Sequence, residues 1–488
     1  MSARADLANL ESSGLIEIAA LQPELEYLFR HALVQDAAYM SLLKQDRKQL
    51  HRAAAETILA LHPDRERELA GVLGMHLEQA GETQRAAEYM ITAGERALER
   101  FANKESVAFF KRAYDLADSS NVNLKLKAAI GVIKAGWTYN TPGEDIDRVE
   151  HAMVDGEADP VLQAEAYFWV AFLRRQRGEI PDSSPGLREA IERGAKIRAT
   201  LSNPSAGAVP RALMGSFAAF TGKLREGATE MSQALDAIEA TGDGVSTAMV
   251  SDFLALTYSR MGEFEAAEKT IARAERMAVG SDAISRVDVD ISRAGLDLER
   301  GEPDKASLQA FECAARAEEL GAYACVVASN VIFGAASLAR QDAPNAKPPL
   351  ERGRDLAQVT NMAVMRTMIH GLLGSAKALL GDQPGGIAGW DEALASARAM
   401  GDSYGEAQTL WGRGRTRVHD REWAEALPDL DRAVEMFEAM EARPSLARAL
   451  HDRAEALRAL GRQTEADDSD RKSVELGRAL GLRDARFA

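Results

Sequence analysis

The chain of 488 residues is long enough for about three ordinary domains, and it is 46% hydrophobic, 27% charged and only 6% aromatic, an alanine-rich mixture that favours helices. Its 59 Lys+Arg against 75 Asp+Glu give a formal charge of −16, which argues against bulk binding to a phosphate backbone or an anionic bilayer. Cys313 and Cys325 are the only cysteines; they exclude a disulfide framework and a paired-thiolate zinc site and point to a reducing cytosol.

Asp6, Glu11 and Glu17 stand where an export signal needs a basic start and an apolar run, so the reading is cytoplasmic. Leu7, Leu10, Leu15 and Ile16 around Ser12-Ser13-Gly14 predict a helix ending in a glycine turn, and Tyr27-Leu28-Phe29 predicts a short strand. Residues 62–200 read as a first, irregular block of helical repeats. There Gly74, Ala86, Met90 and Ala93 fit one unit, with Ala80-Gly81-Glu82 as its turn, and Gly94, Ser106, Phe110 and Ala113 fit a second that overlaps it. The helix near 92–99 therefore closes one unit and opens the next. The pattern is degenerate between 121 and 197, where 178–185 (GEIPDSSP) reads as an insertion. The run 201–210 (LSNPSAGAVP) predicts a hinge.

Residues 211–481 repeat. Gly215, Ala255, Ala294, Gly334, Gly374, Gly414 and Ala454 recur at steps of 39 or 40 residues. A second ladder, twelve residues on, runs through Gly227, Ala267, Ala306, Ala346, Gly386, Ala426 and Ala466, and a third through Ala234, Ala274, Cys313, Gly353, Ala393, Ala433 and Ser473. A larger apolar residue stands between the last two at Met231, Ile271, Leu350, Trp390 and Leu430, with Ala310 and Asp470 as departures. Spacings of three and four around a central turn such as Met261-Gly262-Glu263 or Leu460-Gly461-Arg462 make each unit two helices. The uncharged run 321–339 is nearly long enough for a membrane span, but Ser329, Asn330 and its register with the ladders favour a buried helix. Residues 482–488 are a tail.

Small at the eighth position, small at the twentieth, large at the twenty-fourth and small at the twenty-seventh, the unit resembles the tetratricopeptide repeat. Its best copy is Phe253-Leu254-Ala255-Leu256-Thr257-Tyr258 with Gly262 to Ala267 and Ala274. The usual period is about 34 residues; a period near 40 implies longer helices, and since armadillo and HEAT repeats share that length, the internal spacing decides. Residues 1–61, with Phe29-Arg30-His31-Ala32-Leu33-Val34-Gln35-Asp36-Ala37-Ala38-Tyr39, resemble the end of the winged-helix domain of signal-transduction ATPases with numerous domains. That family includes maltose-regulator-like transcription factors and multidomain bacterial adenylate cyclases. The stretches Ala93-Gly94-Glu95-Arg96-Ala97-Leu98 and Phe109-Phe110-Lys111-Arg112-Ala113 resemble its first repeats. The resemblance implies a nucleotide-sensor remnant at His31, where the family has Met-His-Asp and this chain has Arg30 and Ala32 as flanks; the plainer reading is that His31 caps or packs a small core. Six basic against eight acidic residues in 1–61 argue against a winged helix that reads DNA.

The chain has no G-x-x-x-x-G-K-[ST] loop, H-E-x-x-H, C-x-x-C or G-x-S-x-G, and its eight histidines are scattered. No catalysis, cofactor or metal is expected. Gly385-Gly386-Ile387-Ala388-Gly389 lacks the preceding strand of a phosphate cradle. The expected fold is an all-α, tetratricopeptide-like solenoid behind a winged-helix remnant. The expected function is a regulatory or scaffold module in signal transduction that binds a protein, peptide or ligand on its inner wall. Asp252, Ser259, Trp411, Arg415, His451 and Arg458 are the candidate exposed positions on the first helices. Arg413, Arg415, Arg417 and Arg421 form a basic patch, either for a carboxylate partner or paired with neighbours such as Asp420 and Glu422; Trp411 has the alternative of a core place. One alternative function is part of an ATP-dependent transcriptional regulator or adenylate cyclase whose catalytic domains lie on another chain; another is a small-molecule sensor with its pocket at the hinge.

Overall fold

The structure is a computed structural model that describes residues 3–20, 26–100, 102–136, 142–154, 158–179, 184–201, 207–240, 244–278 and 283–484. Among these residues are twenty-four α-helices and one antiparallel two-stranded sheet. The helix Ala3–Ser12 ends at Gly14, and the strand Ile16–Ala20 pairs with Glu26–Phe29 in the register Ile16 to Phe29. Helices Ala32–Ser41 and Lys44–Leu61 follow. This N-terminal part leaves much apolar surface uncovered: Leu33, Met40, Leu43 and Leu61 are all at least two-thirds exposed.

From Thr83 onward the helices alternate as first and second members of ten units, from Thr83–Glu99 with Asn103–Leu116 to Arg443–Ala459 with Gln463–Leu480. The helix Thr83–Glu99 packs on both Ala70–Ala80 and Asn103–Leu116, which is the sharing that the overlapping patterns predict. The predicted insertion and hinge fall partly on residues 180–183 and 202–206, outside the described residues; Val209 and Pro210 belong to the helix Ala208–Phe220.

Every residue of the three small ladders is buried. The reason is a repeated contact between the two helices of a unit. The large residue sixteen positions on sits directly over the first small one, so that a Cβ added at Gly334 would lie 2.4 Å from Leu350, at Gly374 2.6 Å from Trp390, and at Gly414 2.7 Å from Leu430. Gly74 under Met90 and Gly94 under Phe110 repeat the arrangement near the N-terminus. In the degenerate stretch it is reversed: Phe168 of the first helix fills a hole over Gly194 of the second. Gly386 and Gly389 serve the same packing against Gly374 and Ala378. The uncharged run forms the helix Tyr323–Ala339, largely buried, and no helix among the described residues is long and apolar enough to cross a membrane.

The units wind into a superhelix whose second turn rests on its first. Gly178 meets Ala363 and Met400; Gly222 meets Ser403 and Met440; Gly262 meets Pro444 and Leu480; Gly301 meets Asp484. Each pair joins the tip between two helices of one unit to the start of a unit roughly 180 residues later, so one turn takes between four and five units. At Gly222 (φ 88°) the approach is closest to Met440, where an added Cβ would lie 2.8 Å from Sδ. Four turns take the same left-handed conformation with non-glycine residues, Gln341, Asn361, Arg421 and Glu441, at φ 55 to 64°. A side chain in that region is strained by about 1–2 kcal/mol, partly offset by glycine's greater freedom when unfolded. Arg421→Gly, at an exposed turn, is therefore expected to gain up to about 1 kcal/mol in a urea titration.

Candidate functional site: an inner wall closed by stacked turns

The first helices of successive units pack side by side and line the inner wall. Side chains about one period apart tie them together. Ser292 donates to Asp252 (3.0 Å), the Cys325 thiol to Asp288 (3.0 Å), Gln408 to Ser445 (2.9 Å) and the Trp411 indole to Asp452 (2.7 Å). Across the axis, the helix Gly244–Met261 touches Thr83–Glu99 and Val122–Gly136, so the first turn is narrow.

The two turns are joined by arginines that reach the open C-terminal ends of first-turn helices, where the last carbonyls lack partners within the helix. Arg443 donates to Met261 O (2.6 Å), and Arg448 to Glu299 O (2.7 Å) and Leu298 O (3.4 Å). Within the second turn, Arg415 reaches Ala339 O (3.4 Å). The backbone N–H of Arg483 closes the set on Arg300 O (2.8 Å). Glu299 also pairs with Arg448 (3.4 Å) and accepts from Tyr404 (2.9 Å), whose ring lies under the Arg260 guanidinium at 4.1 Å. Burial and the Glu299 carboxylate push the Tyr404 phenol well above its usual range, so it stays protonated and donating. Burial likewise raises Asp402, which accepts from Gly405 N at the start of Ser403–His419.

Two acidic groups on the wall lie deep in the protein and still reach solvent. Asp252 is half-buried and Glu95 exposed, yet burial raises both carboxyls, with Asp288 raising Asp252 further and Arg67 and Lys127 opposing the shift at Glu95. Groups that are surrounded by protein and touched by water line an interior lumen. For Asp252 the sign follows directly. Its folded-state pKa lies above its unfolded one, so the penalty is complete above the folded value and is relieved as pH falls through it. Asp252→Asn, which keeps the bond to Ser292, is expected to melt higher than the parent at pH 7 and to lose this gain toward pH 4, checked by thermal melts across pH.

The predicted positions do not form one site. Asp252 faces the lumen beside Ser292. Ser259, expected to be exposed, is fully buried and donates to Ala255 O (2.7 Å), because the face it occupies meets the neighbouring helices. Trp411 is half-buried against Phe437 and held by Asp452, so it is in part a core residue. His451 and Arg458 both turn to Asp470 of their own second helix, at 3.7 and 3.6 Å, rather than to the lumen. The basic patch is paired internally: Arg413 grips Asp429 through two bonds (2.7 and 2.6 Å) and Arg417 adds a third (2.8 Å), so the partner is Asp429 and not Asp420 or Glu422. His31 is exposed at the start of Ala32–Ser41 without a capping side-chain bond, so neither the capping nor the packing reading describes it. Asp288, Ser292, Glu299, Tyr404 and Arg448 went unmarked in the sequence. Only the near-period spacing of Asp252 to Ser292 and Asp288 to Cys325 signals the first group; the contacts between turns have no local signature.

Among the described residues no group of three or more His, Cys, Asp or Glu could hold a metal ion. The architecture is that of a tetratricopeptide-like helical-repeat solenoid. It is similar to a Rap protein solved in complex with competence and sporulation factor (TM-score 0.58, 14% identity, 74% of this chain and 99% of that one). It is also similar to the Cut9-Hcn1 hetero-tetramer of the APC/C (TM-score 0.50, 12% identity, 92% of this chain and 85% of that one). No protein-family model matches the chain. A curated relative, an uncharacterized protein of Rhizobium meliloti (strain 1021), is 30% identical over 155 residues, 29% of this chain and 14% of that protein; the chain thus spans a small part of that relative's length.

Proposed function

We propose that the protein is a cytoplasmic, non-catalytic regulatory module in signal transduction that takes a peptide or an extended protein segment on the inner wall of its superhelix. The observation that carries this reading is the lumen: a wall of aligned first helices with acidic groups that are desolvated yet reach water. An extended segment can satisfy such groups one unit at a time, and its backbone finds donors and acceptors along the wall. The Rap protein of similar fold was solved with competence and sporulation factor, which supports a peptide-sized occupant. Passing a mixed hexapeptide library over the immobilised full chain tests it: retention of a sequence-selective subset is expected, and retention of none would contradict it.

A second reading is favoured by the bare apolar surface of 3–61, which includes Leu33, Met40, Leu43 and Leu61. In it these residues are the end of a winged helix, and the protein works with an ATPase or cyclase whose catalytic domains lie on another chain. Titration of the purified chain with ATP and magnesium separates the two, since micromolar, magnesium-dependent binding by this chain alone agrees with neither the first reading nor the missing phosphate loop.

A further inference from the structure

On the wall of the first turn, the helices Gly244–Met261, Ala283–Arg300 and Tyr323–Ala339 are consecutive first helices. Three contacts fix the register of the last two: Cys325 Sγ on Asp288, the Asp252 bond to Ser292, and Gly295 against Ile332, where an added Cβ would be 4.0 Å away. Residues 288 and 325 therefore face each other, as do 295 and 332, and Ser329 falls opposite Ser292, one helical turn beyond the Cys325 contact. Ser329 is fully buried and its hydroxyl has no hydrogen-bond partner. Because a helical Cα–Cβ bond leans toward the N-terminus, that hydroxyl leans back toward the Cys325 and Asp288 contact. A buried hydroxyl without a partner costs about 1–3 kcal/mol, and here it stands beside two carboxylates that repel each other.

We infer that Asp252 and Asp288, with Ser292 and Ser329 beside them, form a subsite for one cationic group, the guanidinium or ammonium of an arginine or lysine side chain in the bound segment. Such a group removes the repulsion between the carboxylates, and a guanidinium can bridge two acceptors in a fixed fork. Ser329 then has an N–H to accept or a carboxylate-bound partner to join. Nothing cationic acts on Asp252 in the protein alone: the groups that shift it are Asp288 and Ser292. The Cys325 thiol, raised far above its usual range by burial and by Asp288, stays neutral and keeps donating to Asp288, which fixes that carboxylate on the wall.

This inference deepens the peptide reading and rests on it for the source of the cation, so its test uses a probe smaller than a peptide. N-acetylarginine amide, its neutral isostere N-acetylcitrulline amide, and spermidine are each titrated into the full chain by thermal shift. The arginine amide is expected to raise the melting temperature and the citrulline amide not to; Asp252→Asn, which keeps the fold and the Ser292 bond, is expected to weaken the effect on the order of tenfold or more. An equal rise with citrulline, or an undiminished rise in Asp252→Asn, overturns the subsite. A response to spermidine alone overturns the assignment to a side chain in favour of a free polyamine. If the library retains peptides with no enrichment of Arg or Lys, the subsite fails while the peptide reading stands. If the arginine amide binds through Asp252 and no peptide is retained, the subsite stands and the peptide reading fails.

Discussion

Replacing Arg448 with alanine is expected to destabilise the protein by about 3–5 kcal/mol and to part its two superhelical turns. The guanidinium is 7% exposed and serves four acceptors at once: Leu298 O, Glu299 O, the Glu299 carboxylate, and Asp484 at 3.7 Å. Its removal strands a nearly buried carboxylate and returns two helix-end carbonyls to the orphan state, and each such loss costs more than the intact interaction contributes. Tyr404 retains its bond to Glu299, so the contact loosens without vanishing. Arg448→Lys cannot reach the carbonyls and the carboxylate together and should recover only part. Small-angle scattering is the check, since a larger radius of gyration with unchanged helical circular dichroism is the signature of turns that separate while units remain folded.

The second large effect is steric. Gly227→Val is expected to cost about 3 kcal/mol or more, because a Cβ at 227 would sit 2.5 Å from Gly215 O and 2.8 Å from Ala219 N, backbone atoms that cannot rotate aside. Even Gly227→Ala should lose stability, although alanine is the better helix former by about 1 kcal/mol. Gly295→Ala supplies the contrast. It is also buried in a first helix, but its Cβ would meet only Ile332 at 4.0 Å, so the propensity gain of about 0.5–1 kcal/mol should appear undiminished. Urea melts of the three variants test whether the ladder exists for close approach or for flexibility. Repeat arrays can lose a unit at a time, so the early part of each curve carries the information.

The same contact explains what could and could not be read in the sequence. From 211 to 481 the hole is always on the first helix and the knob sixteen residues later, so a small residue and a large one recur at fixed spacing and the fold is legible. Between 121 and 197 the fold is the same, but Phe168 is the knob and Gly194 the hole, which reverses the order of small and large and hides the unit from the pattern. Turns were legible where glycine supplies the left-handed residue, as at 262 or 461, and silent at 341, 361, 421 and 441, where other residues take that conformation. The wall was legible only as a direction. Helical periodicity placed Asp252 and Trp411 on first helices but could not tell which of their neighbours face the lumen, their own second helix or the next unit. Hence Ser259 proved buried, and His451 and Arg458 turned to Asp470. The contacts that join residues about 150 to 180 positions apart, such as Arg448 with Glu299 and Arg443 with Met261, follow from superhelical pitch and have no trace in a 40-residue window.

Amide hydrogen exchange on the full chain, with and without a peptide retained from the library, tests the account most directly. Protection is predicted on the first helices that line the lumen, above all Gly244–Met261, Ala283–Arg300 and Tyr323–Ala339, with the second helices unchanged. Protection confined to second helices such as Pro303–Leu320 and Trp423–Ala439 would place the partner on the outside of the superhelix and contradict the inner-wall reading.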